Sequence, residues 1–144
     1  MVTAHATCIA FDGRGVLLRG SPGSGKSDLA LRAIADGARL VADDQVILSR
    51  RGSKVVASSP PTLYGMIEIR GLGIMRVEAE AEAELVLVVD LTDRLSIDRL
   101  PEPRRCELIG VDLPLLAMTA LETSALAKLR FALLAACDPD RMAT

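Results

Sequence analysis

Eight consecutive residues near the start of the chain have the spacing of a phosphate-binding loop. Its glycines can take positive φ angles, so that successive backbone N–H groups turn towards one anion. The lysine of this pattern reaches the outer phosphates of a nucleotide, and the serine after it reaches Mg²⁺. The loop residues, which we expect to bind the nucleotide, are Gly20, Ser21, Pro22, Gly23, Ser24, Gly25, Lys26 and Ser27.

The residues on either side of this loop predict the elements that must hold it. The apolar residues 16–18 precede it and suit a buried strand, whereas residues 26–36 have helical spacing and end before Gly37. The N-terminus of that helix would direct its partial positive charge at the bound anion. The alternative is a glycine turn with a surface lysine, which these flanking elements make the weaker interpretation.

Two adjacent carboxylates, Asp43 and Asp44, follow the apolar residues 40–42. Strand ends are where α/β folds place their ligands, and a carboxylate there can hold a metal through water or take a proton from an attacking hydroxyl. Because side chains alternate along a strand, the two aspartates should point in different directions and have different roles. The alternative is a solvated Asp-Asp turn.

Length and composition narrow the class of protein. The chain has 144 residues, half of them hydrophobic, and a net charge of −2. This length suits one sizeable core, so we expect a single domain over residues 1–144. With two Phe, one Tyr and no Trp, the chain lacks the stacking side chains of single-strand nucleic-acid binders. The weakly acidic charge gives no general attraction to nucleic acid or to an anionic membrane, and we predict that neither is a partner.

The cysteines and the apolar segments favour a cytoplasmic protein. Cys8, Cys106 and Cys137 are odd in number and widely spaced, which argues against a disulfide framework and against a zinc site. The N-terminus lacks the basic-then-apolar plan of a signal peptide, and no apolar run approaches the ~20 residues of a spanning helix.

The remaining pattern predicts an α/β fold with a mixed sheet and a C-terminal helix. Residues 78–84 fit either a helix or a solvated segment, and residues 101–105 fit a polar loop. We expect the C-terminal helix at 121–136, after which residues 138–140 end the ordered structure. The predicted strands are 3–11, returning after a turn at Asp12-Gly13 as 15–19, then 39–42, 45–51, 54–58, 66–69, 73–77 and 85–91.

Other polar residues carry little information by type alone. His5 is the only histidine, and a side chain that titrates near neutral pH can serve as a proton or phosphate partner. Without further information, His5 is better interpreted as an ordinary histidine on an edge strand. The same argument applies to Glu68, Arg70 and Arg99, because single Glu and Arg residues usually lie solvated on a surface.

Five segments together give the chain a family resemblance over roughly residues 5–100. They are residues 5–7, 15–20, 24–27, 39–44 and 68–74, of which the last reads Glu-Ile-Arg-Gly-Leu-Gly-Ile. These segments resemble the catalytic domain of the HPr serine kinase/phosphorylase family. The heptapeptide is specific to that family, whereas the phosphate loop is shared with many others. The resemblance implies a P-loop nucleotide-binding domain of the HPr kinase and phosphoenolpyruvate carboxykinase type.

The resemblance also implies roles for individual residues. His5 matches an active-site histidine, Lys26 the phosphate-contacting lysine, and Arg99 an active-site arginine. Asp44 matches the catalytic carboxylate, with Asp43 beside it. Ser27 and Glu68 match Mg²⁺ ligands.

The implied activity is ATP-dependent phosphorylation of a serine on HPr, or on an HPr-like phosphocarrier of the phosphotransferase system, by a homo-oligomer that is a hexamer in the family. Phosphorolytic dephosphorylation is the reverse activity. Two alternatives remain at this point. One is a regulatory module that binds nucleotide with weak transfer activity, and the other is a small-molecule P-loop kinase.

The chain departs from the family pattern at three points. It looks like a short form without the N-terminal domain, because the matching histidine is already His5. Asp28 stands where the family usually has Glu. The family's Pro-Val-Arg-Pro-Gly-Arg-Asn segment, associated with dephosphorylation, has no counterpart, and residues 111–120 lack its arginines. The resemblance therefore supports the kinase reaction better than its reverse.

Overall fold

A computed structural model describes residues 1–143, which form eleven β-strands, two α-helices and three 3₁₀ turns. The helices are α1 (Lys26–Ala35) and α2 (Ala125–Cys137), and the 3₁₀ turns are Pro61–Leu63, Arg94–Ser96 and Pro139–Arg141. The strands are β1 (Val2–Ala4), β2 (Thr7–Phe11), β3 (Arg14–Arg19), β4 (Arg39–Ala42), β5 (Val46–Arg51), β6 (Lys54–Ser58), β7 (Met66–Ile69), β8 (Gly73–Arg76), β9 (Glu82–Leu91), β10 (Arg104–Leu108) and β11 (Val111–Met118).

Nine of these strands form one mixed sheet, which confirms the predicted α/β class. The order is β1-β5-β6-β9-β3-β2-β4, with β11 also beside β9 and β10 beside β11. Strand β9 runs parallel to β3 and to β11, whereas the other pairs in this sheet are antiparallel. Strands β7 and β8 form a separate antiparallel hairpin. The carboxyl ends of β3, β9 and β11 therefore lie at the same edge of the sheet.

The sheet has an apolar core on each face because its central strands alternate their side chains. Helices α1 and α2 cover one face, where Leu18 and Val89 pack against Leu29 and Leu129. On the other face Leu17 and Val88 belong to a second cluster with Val41 and Val55. Strand β9 is thus buried on both sides, as its continuous apolar sequence predicts. Within residues 1–143, neither helix is both long and apolar enough to cross a membrane.

The single strand predicted at 3–11 is wrong, because this segment is two strands with different partners. Strand β1 pairs with β5, whereas β2 pairs with β3 and β4. Only His5 and Ala6 separate β1 from β2, although the two strands lie near opposite ends of the strand order. The sheet must therefore curl to bring its ends together, and alternation along the chain does not reveal such a change of partner.

Local signals predicted the other N-terminal elements correctly. The β2–β3 turn uses Asp12 at φ 51° and Gly13 at φ 80°, and α1 ends before Gly37 at φ 104°. The strands predicted at 45–51, 54–58, 66–69 and 73–77 form the hairpins β5–β6 and β7–β8. Residues 78–84 are extended rather than helical, since Ala79 bridges to Leu40 and β9 already begins at Glu82.

The C-terminal third differs most from expectation. The segment 101–105 is not entirely loop, because Arg104 begins β10, and β11 was not predicted at all. Pro114 argues against a strand in a sequence, but here it faces β10 one residue before β11 joins β9 at Leu115. Helix α2 starts four residues after the expected position 121. Residues 138–140 continue into a 3₁₀ turn, Pro139–Arg141, instead of ending the ordered structure.

Candidate active site

The phosphate loop connects the carboxyl end of β3 to the first turn of α1. Gly25 precedes the helix at φ 99°, in the left-handed region, and a Cβ there would lie 2.6 Å from the Cβ of Ala120. Glycine is therefore required at this position both by backbone conformation and by space. The N–H groups of the loop and of the α1 N-terminus face the same end of the molecule, where the helix dipole favours an anion.

Two polar side chains of the loop, Lys26 and Ser24, lie within it. Lys26 Nζ donates hydrogen bonds to the carbonyl oxygens of Gly20 at 2.7 Å and Ser21 at 3.3 Å, so its ammonium group lies over the loop. Ser24 Oγ is buried and has no hydrogen-bond partner among residues 1–143. A buried hydroxyl without a partner is costly, and a bound phosphate oxygen would satisfy it. The loop thus fits the phosphates of a nucleotide.

Asp43 lies directly under the start of α1. Its Oδ1 accepts a hydrogen bond from Ser27 Oγ at 3.0 Å and another from Thr7 Oγ1 at 3.0 Å. Ser27 and Asp43 therefore present neighbouring hard oxygen atoms, the ligand type that Mg²⁺ prefers while it keeps part of its water shell. Within residues 1–143 no group of three or more His, Cys, Asp or Glu side chains forms a closed metal cluster. The residues fit a Mg²⁺ ion that is bound chiefly by phosphate, water and one or two side chains.

Asp44 points away from Asp43 and towards a different partner. Its backbone has φ 71°, and its Oδ1 lies 3.4 Å from Nε2 of His5. Both side chains of this pair are about two-thirds exposed, at 66% and 67%. The two aspartates thus have separate environments, as expected, one beside the phosphate loop and one open to solvent. The cause is not strand alternation, because both lie beyond the end of β4 and Asp44 has a left-handed backbone.

Glu68 and Arg99 lie on separate elements outside this group. Glu68 is exposed on the β7–β8 hairpin, opposite Ile74, and among residues 1–143 it makes no side-chain bond to Ser27. The hairpin itself packs against α1 through β7. Arg99 lines a cavity of about 490 Å³ between residues 97–101, the end of β11 and α2. The roles of Glu68 as a metal ligand and of Arg99 at the phosphates stay predictions.

Three residues beside the loop were not singled out by the sequence. Arg19 ends β3 and forms a two-pronged ion pair with Asp90, at 2.7 and 3.0 Å, across the parallel β3–β9 register. The hydrogen bond to Asp90 raises the pKa of Arg19 above its usual range. A charged residue at the end of a buried apolar strand is a signal that could have revealed this pair. Thr7 gave no such signal, because threonine is an ordinary strand residue.

The comparison with known proteins agrees with this geometry. A family model described as "HPr Serine kinase C-terminal domain" matches residues 1–130. The chain belongs to this family. The structure of the Hpr(Ser) kinase/phosphatase from Coxiella burnetii is similar, with a TM-score of 0.83 and 26% identity, over 97% of this chain and 92% of that one. The family resemblance and the fold class predicted from the sequence are both confirmed.

Curated relatives named HPr kinase/phosphorylase are considerably longer than this chain. The protein from Chlorobium phaeobacteroides (strain BS1) is 34% identical over 126 residues, which is 79% of this chain and 37% of that protein. The one from Clostridium tetani is 45% identical over 73 residues, which is 51% of this chain and 24% of that protein. The match therefore spans only 37% of the first relative's length and 24% of the second's.

Proposed function

We propose that this chain is an ATP-dependent protein serine kinase that acts on HPr or an HPr-like phosphocarrier. The observation that carries the proposal is the different placement of two adjacent aspartates. Asp43 is hydrogen-bonded to Ser27 of the phosphate loop, whereas Asp44 faces His5 at an exposed position. A carboxylate near the metal ion and an accessible carboxylate that can take the hydroxyl proton are two of the groups that serve phosphoryl transfer to a hydroxyl.

The loop and its neighbours would hold the nucleotide. Bound Mg-ATP would supply the phosphoryl group together with a cation that shields its charge. Lys26 would turn from the carbonyl oxygens of Gly20 and Ser21 to the outer phosphates, which give it stronger, charge-assisted bonds. Ser27 would contact the metal ion directly, and Glu68 would approach it from the hairpin.

Asp44 would act as the general base. Its exposure lets a serine hydroxyl on a protein surface reach it, whereas Asp43 is half-buried and hydrogen-bonded to Ser27. As the serine oxygen forms its bond to the γ-phosphorus, the bond from that phosphorus to the bridging oxygen would break and ADP would leave, while the serine proton would pass to the Asp44 carboxylate. His5 would hold that carboxylate in place, and the guanidinium of Arg99 would neutralise charge on the transferred group. The loop carrying Arg99 would have to bring it towards Lys26.

One assay tests the proposal directly. The protein is incubated with Mg-ATP and the HPr-like phosphocarrier of the same genome, and mass spectrometry locates any phosphate. We expect one phosphoserine, which disappears when that serine of the carrier is changed to alanine. Nucleotide binding without transfer would instead favour a regulatory module, and transfer to a metabolite would favour a small-molecule kinase. The phosphorylated carrier, incubated with inorganic phosphate, tests the reverse reaction.

Two further properties belong to the same proposal. We propose a cytoplasmic protein, because the phosphocarrier and ATP are found together there. We also propose self-association, on the basis of the family resemblance. Light scattering of the purified chain measures its mass, and a monomer at micromolar concentration would contradict the second statement.

A further inference from the structure

Thr7 is a polar side chain in the interior of the sheet, with no exposed surface. It is the first residue of β2, pairs with Leu18 of β3, and is followed by the apolar core residues Cys8 and Ile9. A buried hydroxyl needs a hydrogen-bond partner, and Thr7 Oγ1 finds it in Oδ1 of Asp43 at 3.0 Å. Thr7 therefore contacts the candidate active site only through its hydroxyl, from the interior of the sheet.

An irregularity in the sheet brings these two residues together. Along the β2–β4 ladder Ile9 pairs with Leu40, but the next pair is Cys8 with Ala42, so one residue of β4 is skipped. Continuing that shifted register by one residue places Thr7 opposite Asp43. Without the bulge, Thr7 would lie opposite Ala42, and Asp43 would lie opposite Ala6. Bulges commonly re-aim a side chain beside a functional site, and this one aims Asp43 at a hydroxyl.

The same oxygen of Asp43 also accepts a hydrogen bond from the hydroxyl of Ser27 at 3.0 Å. Two donors, one from the sheet and one from α1, therefore converge on Oδ1. A carboxylate has about four acceptor positions. Because Oδ1 is held from two sides, the carboxylate plane is fixed and Oδ2 is left to accept from water or ligand. The two bonds differ in one respect, since Ser27 is also a predicted metal contact and Thr7 is not.

We propose that Thr7 is a positioning residue for the metal-nucleotide site. Its hydroxyl holds the carboxylate of Asp43 in one rotamer, so that the oxygen atoms around the metal are already arranged when Ser27 turns a lone pair to the ion. Thr7 acts through Asp43 and does not contact the ligand. This proposal rests on the nucleotide site of the proposed function, but not on the identity of the phosphate acceptor.

The test measures binding and needs no phosphocarrier. Thr7→Val removes the hydroxyl at nearly constant shape, and Thr7→Ser keeps it. A fluorescent ATP analogue is titrated at several Mg²⁺ concentrations, and the half-saturating Mg²⁺ concentration is read from each variant. Loss of a charge-assisted hydrogen bond should raise that concentration about tenfold in Thr7→Val. Thr7→Ser should stay within about twofold of the parent, and binding without Mg²⁺ should change little.

A double-mutant cycle with Asp43→Asn separates positioning from general destabilisation. If Thr7 acts through Asp43, Thr7→Val should add less to the Mg²⁺ requirement of Asp43→Asn than it adds to the parent. Thr7→Ala serves in the same cycle if the valine variant does not fold. The proposal is overturned if Thr7→Val keeps the parental Mg²⁺ requirement while it melts lower, or if Thr7→Ser is impaired as much as Thr7→Val.

The outcomes also distinguish this proposal from the proposed function. Mg²⁺-dependent binding that Thr7→Val weakens, without any transfer to a phosphocarrier, would support Thr7 and refute the kinase assignment. Normal transfer to the phosphocarrier, together with a Thr7→Val variant that binds Mg²⁺ and nucleotide like the parent, would support the kinase assignment and refute the role of Thr7. If the parent binds no nucleotide in the presence of Mg²⁺, both proposals fail.

Discussion

His5 Nε2 lies 3.4 Å from Oδ1 of Asp44, at the exposed mouth of the candidate site. The contact joins two residues that lie outside the strands, at points where the chain leaves the sheet. His5 occupies the two-residue link between β1 and β2, and Asp44 follows β4 with a left-handed backbone, φ 71°. Contacts between exposed charged groups contribute little to stability. Under the proposed function, we expect this contact to orient the Asp44 carboxylate towards the substrate hydroxyl.

The first prediction concerns Asp44→Asn. The amide keeps the shape of the side chain but does not accept a proton from serine, so transfer should fall by about 10²–10⁴-fold. Nucleotide affinity should stay near the parental value, because Asp44 faces His5 rather than the phosphate loop. Single-turnover transfer rates and nucleotide titration measure the two effects separately.

Asp43→Asn is the matched variant for that experiment. It should weaken Mg-ATP binding more than it slows the chemical step, because the Asp43 carboxylate is bonded to Ser27. If the two variants exchange these phenotypes, the roles assigned to the adjacent aspartates are reversed.

The second prediction is that Lys26→Ala loses phosphotransfer while the protein stays folded. Removing one charge-stabilising group of this kind costs about 10²–10³-fold in rate or more. The fold should persist because Lys26 Nζ bonds only to carbonyl oxygens of its own loop within residues 1–143. Lys54→Ala is the control, since Lys54 pairs with Glu84 at 3.2 Å on the sheet surface, away from the loop. A Lys26→Ala protein with the parental transfer rate would remove the phosphate loop from the mechanism.

The sequence predicted those elements whose cause is local. The loop, α1 and the turn at Asp12-Gly13 depend on glycines and on spacing within a few residues, and all are present. Strand β11 was missed because Pro114 argues against a strand in the sequence alone, and only pairing with β9 and β10 shows that one forms. Thr7 was missed for the same reason, since its role depends on a bulge in the pairing of β2 with β4.

The third prediction is a graded reactivity of the three thiols, all of which are free in the described chain. Burial raises the pKa of the Cys8 thiol, and its side chain is inaccessible in the core beneath β2. Burial also raises the pKa of Cys106, which is partly covered, whereas Cys137 is exposed at the end of α2. At pH 8 a maleimide should label Cys137 first, Cys106 more slowly, and Cys8 only when the protein unfolds.

Peptide mass spectrometry after timed labelling measures this order. The labelling rate of Cys8 also reports opening of β2, so it shows whether a Thr7 variant has disturbed the sheet. Rapid labelling of Cys8 in the folded parent would contradict the burial of β2.

The fourth prediction is that Glu68→Gln raises the Mg²⁺ concentration required for transfer. An amide oxygen is a weaker ligand than a carboxylate for a hard cation. Glu68 is exposed on β7, so the substitution should leave the melting temperature nearly unchanged. The matched control is Glu78→Gln, which alters an exposed carboxylate just beyond the hairpin. An unchanged Mg²⁺ dependence in Glu68→Gln would exclude Glu68 as a metal ligand.

The last prediction asks whether the bend of the β7–β8 hairpin is functional or only redirects the chain. Gly71 has φ 85°, and a Cβ there would meet nothing within 4 Å, so Gly71→Ala costs only the strain of a left-handed backbone, about 1–2 kcal/mol. Gly52, in the β5–β6 turn, has φ 63° and the same open space, which makes Gly52→Ala a control with the same kind of strain.

Both glycine variants should therefore melt lower by similar amounts. Only Gly71→Ala should slow transfer, because Gly71 sets the position of Glu68 and Arg70 relative to α1, against which β7 packs. Displacements of about 1 Å at a catalytic site can cost about a hundredfold in rate. Melting curves and transfer rates of the two variants, measured side by side, give the answer. If both lose stability and both keep the parental rate, the hairpin is scaffolding and its sequence has no part in the reaction.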